Sequence, residues 1–191
     1  MKYAIITYTS AQNWGGQLQA YSLMEYMNQA GFDTDLINYR NLDNRMFKPK
    51  KEIKDILYSL AAVKENRLRI KRFSSFRKDY LKLRGPVLVS DEELEVLNQK
   101  YDCFITGSDQ LWNCETKICY PFYLSFVSDD KLRIAYAPSF GGTRIPDQFK
   151  DEVAKLLSKY KYISVREKSG AEIIKQLTGK SVPVVVDPVF L

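Results

Sequence analysis

Histidine is absent from all 191 residues. Its absence removes the side chain best suited to proton transfer near neutral pH and the commonest nitrogen ligand for zinc. Acid–base chemistry within this chain must run through Asp, Glu, Lys or Tyr. Cysteine is scarce: with Cys103, Cys114 and Cys119 as the three present, at least one stays unpaired, and a disulfide framework is not expected in a chain of this size. Cys114 and Cys119 have the spacing of a ligand pair, but without histidine or a second cysteine pair no metal site is expected. Long apolar runs are missing too. No stretch approaches the roughly 20 residues that cross a bilayer, and the amino-terminal apolar stretch is too short and too soon interrupted for a secretory signal, so the expected location is cytoplasmic.

The composition, 45% hydrophobic and 27% charged, is that of an ordinary folded domain. The net charge of +6 is unevenly spread: between Lys48 and Arg84 thirteen Lys/Arg accompany four Asp/Glu, which leaves the rest of the chain slightly acidic. In that segment Ile53, Ile56, Leu57 and Leu60, then Leu68, Phe73, Phe76 and Tyr80, fit two amphipathic helices. The second carries Arg67, Arg69, Lys71, Arg72, Arg77 and Lys78. Such charge is either a solvated helical face or a surface for an anionic partner. No nucleic-acid-binding motif accompanies it, so an anionic glycan or the inner face of an acidic membrane is favoured over nucleic acid.

Around this insertion the pattern alternates. Residues 3–8 read as a buried strand, 10–16 as a glycine loop, and Leu18, Tyr21, Met24 and Met27, with Ala20 and Leu23, as the apolar stripe of a helix that stops at Gly31. Strands follow at 34–39, before Gly107, and at 132–137, 162–165 and 182–186. Helices are expected at 90–98, where Ser90 can serve as cap, and at 148–159 and 167–178. Alternation of this kind predicts a Rossmann-like α/β fold: a mostly parallel sheet with helices on both faces and a basic helical insertion at about 48–84.

The strand exits carry the chemistry. Residues 101–113, YDCFITGSDQLWN, place a strand directly before Gly107, Ser108, Asp109 and Gln110, a glycine turn that can present a hydroxyl, a carboxylate and an amide at the carboxyl edge of a sheet. Asn13, Gly15 and Gly16 precede a helix whose amino terminus can seat a carboxylate or phosphate, or else simply form a tight turn. Ser139 to Gly142, Arg166 with Glu167, and Asp187 with Pro188 end other strands. Parallel strands bring all these exits to one edge, so Asn13, Ser108, Asp109, Gln110 and Arg166 are expected to share a cleft. Asp109 can act as a base or cap a following helix. Trp112, one turn into that helix, can stack on a sugar face or belong to the core. Arg166 can contact an oxyanion or pair with Glu167 or a neighbouring acid.

In order, the segments NWGGQLQAYSL, YDCFITGSDQLWN, APSFGG, SVREKSG and VVVDPVFL resemble the motif series of the polysaccharide pyruvyl transferase family, over nearly the whole chain. The resemblance implies transfer of the enolpyruvyl unit of phosphoenolpyruvate onto two sugar hydroxyls as a ketal, with phosphoenolpyruvate as donor substrate and no further cofactor. It implies a glycan acceptor and a fold similar to the two-domain glycosyltransferases. On that basis residues 1–191 are expected to form the amino-terminal domain, to lack the general acid, and to fold without turning over substrate. Asn13, Gly15, Gly16, Ser108, Asp109, Gln110, Asn113, Ser139, Gly141, Arg166 and Glu167 are the candidate substrate-binding residues. A nucleotide-sugar glycosyltransferase and a non-catalytic module for an anionic partner are the competing readings.

Overall fold

The structure, a computed structural model, describes residues 1–10, 12–41, 63–83 and 85–191. The helix expected around Ile53 to Leu60 lies outside the described residues. Strand β1 (Lys2–Ile6) forms where Ala4, Ile5 and Ile6 run together, and all three are fully buried. Its neighbours are β2 (Asp33–Leu36) and β3 (Cys103–Thr106), followed by β4 (Leu132–Ala135) and β5 (Tyr162–Ile163). The five strands are parallel in the order β2-β1-β3-β4-β5. This is the expected parallel α/β arrangement.

Side chains alternate across the strands, and so two cores form. On one face Ile5, Cys103 and Ile105 meet Ala20, Leu23 and Met24 of helix α1 (Trp14–Gln29), together with Leu81. On the other, Ala4, Ile6 and Phe104 share a cluster with Trp112, Phe122 and residues of the later helices. Those helices include α4 (Lys150–Ser158) and α5 (Lys168–Thr178). Ser90 closes a capping box with Glu93 at the start of α3 (Asp91–Glu95), which runs into a 3₁₀ turn over Val96–Gln99 instead of continuing as one α-helix. No described helix is long and apolar enough to cross a membrane.

Several expected elements differ. Helix α1 starts at Trp14, with Asn13 as its cap, and its buried side holds Gln17 and Gln19 while Leu18 faces solvent. β2 ends at Leu36, and Tyr39 rejoins only through a single bridge to Leu88. β4 and β5 are shorter than expected, and residues 182–186 form no strand, only one bridge between Val184 and Val165. Pro183 has no N–H to donate, and this last segment lies at the sheet's edge, so pairing stops after one rung. No helix follows β3: residues 107–119 turn irregularly.

The described part of the basic segment is helix α2 (Val63–Phe76), continued by a π-helical turn (Arg77–Leu81). It docks on the α1 side through aromatic contacts: Trp14 stacks on Phe73 with ring centroids 4.2 Å apart. Two of its cations tie down the glycine loop, Arg69 donating to the Gln12 carbonyl at 2.8 Å and Arg77 to that of Ser10 at 3.0 Å. The segment's charge is therefore partly structural. Leu68 and Tyr80, expected on the apolar stripe, are exposed; Tyr80 still stacks on Phe76.

Burial sets an alkaline limit on this fold. It pushes the Cys103 thiol from 9.0 to about 12 and the Cys119 thiol to about 11. The Tyr8 hydroxyl rises from 10.0 to about 12 by burial, helped by Cys119 once that thiol has ionised and by the Asp109 carboxylate. These groups stay neutral when folded but ionise near their ordinary values when unfolded. Their stabilisation is complete below about pH 9 and is lost as pH rises toward 12, at about 1.4 kcal/mol per pH unit for each group ionised only in the unfolded chain. Urea midpoints measured from pH 8 to pH 11.5 are expected to be level at first and then fall; a flat profile would refute this account.

Candidate functional site

Because every strand runs the same way, the exits at 7–16, 107–113, 136–142 and 164–167 all leave one edge of the sheet. The 107 exit passes tightly under the 136 exit. Gly107 has φ +131°, and a methyl group there would lie 1.9 Å from the Tyr136 carbonyl oxygen. The Gly107–Ser108 peptide is cis.

Ser108 is fully buried and every polar atom of it is engaged. Its N–H donates to Gln19 Oε1 at 2.8 Å, its carbonyl accepts from Thr7 Oγ1 at 3.0 Å, and its hydroxyl reaches the Ala137 carbonyl at 2.9 Å and Asp187 Oδ2 at 3.1 Å. Gln19 Nε2 in turn donates to Thr7 Oγ1 and to the Gly16 carbonyl, both at 2.8 Å. A buried glutamine and serine thus latch α1 to the β1 and β3 exits, as buried polar groups require partners. Ser108 is a strut, not a surface offered to a sugar. Ser139 is similar: it is buried, its N–H donates to the Asp109 carbonyl at 2.9 Å, and its hydroxyl accepts from Gly141 N–H at 3.0 Å.

Asp109 stands differently. Its backbone is left-handed, with φ +87°, a conformation that aspartate tolerates better than most residues. One carboxylate oxygen accepts from Gln110 N–H at 2.7 Å. The other lies against the start of α1, where a methyl group on Gly16 would be 3.1 Å from it. The protein's own carboxylate thus stands beside the helix terminus that was expected to seat an anion, where Asn13 Oδ1 accepts from Gly15 N–H at 3.0 Å.

Arg166 resolves to an ion pair. Its Nε donates to Glu167 Oε1 at 3.0 Å and its NH1 to Asp187 Oδ2 at 2.8 Å. Burial alone would weaken its charge, but the hydrogen bonds and charges of Asp187 and Glu167 outweigh that and raise its pKa above the usual arginine value.

Asn13, Gly15, Gly16, Asp109 and Arg166 line one open hollow of about 270 Å³. Of the residues expected to share a cleft, Asn13, Asp109 and Arg166 line this hollow, and Ser108 and Gln110 do not. Gln110, Asn113 and Gly141 instead form a neighbouring group: a methyl on Gly141 would lie 2.9 Å from Asn113 Nδ2 and 3.2 Å from Gln110 Oε1. Gln19, Asp187, Val189 and Phe190 also line the hollow and were not among the sequence candidates. For Asp187 the signal existed, since it ends a strand-like run just as the other candidates do.

Trp112 is core. It is fully buried, its indole N–H donates to the Phe122 carbonyl at 3.1 Å, and it stacks on Tyr123. It cannot stack on a sugar, and Asp109 has no following helix to cap.

A family model described as polysaccharide pyruvyl transferase matches residues 13–191. No curated protein and no solved structure matches the chain.

Proposed function

The chain belongs to the polysaccharide pyruvyl transferase family, and from that premise we propose that its protein transfers the enolpyruvyl unit of phosphoenolpyruvate to two hydroxyls of a sugar. In the reaction one hydroxyl adds to C2 of the enol phosphate as the methylene carbon gains a proton. The second hydroxyl then displaces phosphate and closes the ketal. The observation that carries our assignment of roles is the meeting of Asp109, the start of α1 and the Arg166–Asp187 pair around one hollow.

In this reading Asp109 takes the proton from the attacking hydroxyl. One of its oxygens is fixed by Gln110 N–H, so the carboxylate is held in orientation before the acceptor arrives. Asn13 and the glycine loop supply polar contacts to the sugar. Arg166 has five N–H donors, and its contacts with Glu167 and Asp187 leave capacity for an oxyanion of the donor.

The test is phosphate release from phosphoenolpyruvate by the intact gene product, with a panel of sugars. Release that depends on the sugar, and a sugar product heavier by one pyruvate less one water, is the expected result. Consumption of a nucleotide sugar with no such release would replace this reading with glycosyl transfer.

A further inference from the structure

On the β2 side of the 9–16 loop lies a second and larger hollow, of about 520 Å³. Arg40, Arg77 and Lys78 line it, with Ser10, Gln12 and Asn38 as neutral polar neighbours, and no Asp or Glu is among its described lining residues. The three cations come from two separate parts of the chain. Arg40 follows β2, while Arg77 and Lys78 belong to the π-helical turn after α2. Arg77 is held in place by its bond to the Ser10 carbonyl at 3.0 Å. Its pKa is lowered, first by burial and then by the positive charge of Arg40.

The contrast with the first hollow is chemical. There, the helix terminus faces Asp109 and Arg166 is held by two carboxylates; here, the lining charge is of one sign. We propose that this hollow is a binding site for a phosphate- or diphosphate-bearing ligand, with Arg77 and Lys78 contacting its oxyanions. Guanidinium groups suit the paired oxygens of phosphate, and the volume lies within the range of small-molecule sites. The ligand class follows from the charge of the hollow. Only the choice of phosphoenolpyruvate as one competitor rests on the pyruvyl-transfer reading.

The probe is pyrophosphate, titrated calorimetrically into the full chain at low and at moderate salt. Binding that weakens with salt is expected, and Arg77→Gln is expected to weaken it about tenfold or more. Because Arg77 also secures the Ser10 loop, Lys78→Gln serves as the second variant: it is exposed, and a loss of about threefold is expected for a solvated charge contact. Lys161→Gln, on the opposite edge of the sheet, should change nothing. Competition by phosphoenolpyruvate or by a nucleoside diphosphate sugar then distinguishes the two sources of phosphate. Absence of pyrophosphate binding, or equal losses in Lys78→Gln and Lys161→Gln, would overturn the site while leaving the transfer reaction untouched. Binding at the site without transfer by the intact product would do the converse.

Discussion

Gly107→Ala is expected to lower stability by about 3–5 kcal/mol, a large share of the roughly 5–15 kcal/mol of an ordinary domain. Two independent effects act together. The φ of +131° disfavours any L side chain, and the added methyl would lie 1.9 Å from the Tyr136 carbonyl oxygen. That oxygen is backbone, at the exit of β4, and cannot swing aside as a flexible side chain would. Relief requires the β3 and β4 exits to separate. Separation would break the bond from Tyr136 N–H to the Thr106 carbonyl, 2.9 Å, and disturb the contacts that hold Ser108. Gly142→Ala is the control, since a methyl there meets nothing within 4 Å, and a change within about 0.5 kcal/mol is expected. Urea unfolding followed by circular dichroism measures both. A Gly107→Ala variant as stable as the Gly142→Ala control would mean that the two exits do not pass as closely as described.

Asp109→Asn is expected to reduce acceptor-dependent phosphate release by the intact gene product about 10²- to 10⁴-fold, the usual contribution of a positioned general base. The substitution is chosen to separate chemistry from structure. Asparagine also tolerates left-handed backbone and keeps an oxygen that can accept from Gln110 N–H, so the turn should survive. Unfolding midpoints should stay near those of the unaltered protein. Activity within a fewfold of normal would reduce Asp109 to a turn residue at the end of α1 and remove the base from the proposed mechanism.

Much of the frame was legible in order along the chain. The apolar runs at β1 and β3 and the glycines that follow them read correctly, because a strand buried on both faces leaves a continuous apolar signature and a sharp exit needs glycine. The helices after Phe149 and Glu167 were legible from their amphipathic spacing. The register of α1 was not. Its interior takes Gln17 and Gln19 and its exterior Leu18, and a periodicity argument counts glutamine as polar without knowing that Thr7, Thr9 and Ser108 wait to bond it. The strand expected over 182–186 failed for the complementary reason: four valines around a proline look like a strand, but pairing needs a neighbour along their whole length.

The candidate site divides in the same way. Sequence alone established that Asn13, Asp109 and Arg166 leave parallel strands at one edge, since that follows from strand direction and order of elements, both of which are local or combinatorial properties. It also located the excess of positive charge. Tertiary structure decided what each exit does. Ser108, Asp109 and Gln110 are consecutive, yet the first points into the interior, the second toward the hollow and the third outward beside Gly141. Arg166 chose Asp187, 21 residues away, as well as its neighbour Glu167, and the Asp109 carboxylate came to lie beside Gly16 at the start of α1. The physical reason is that charge pairing and hydrogen bonding depend on distances of a few ångströms between segments remote in sequence, and only the folded sheet sets those distances.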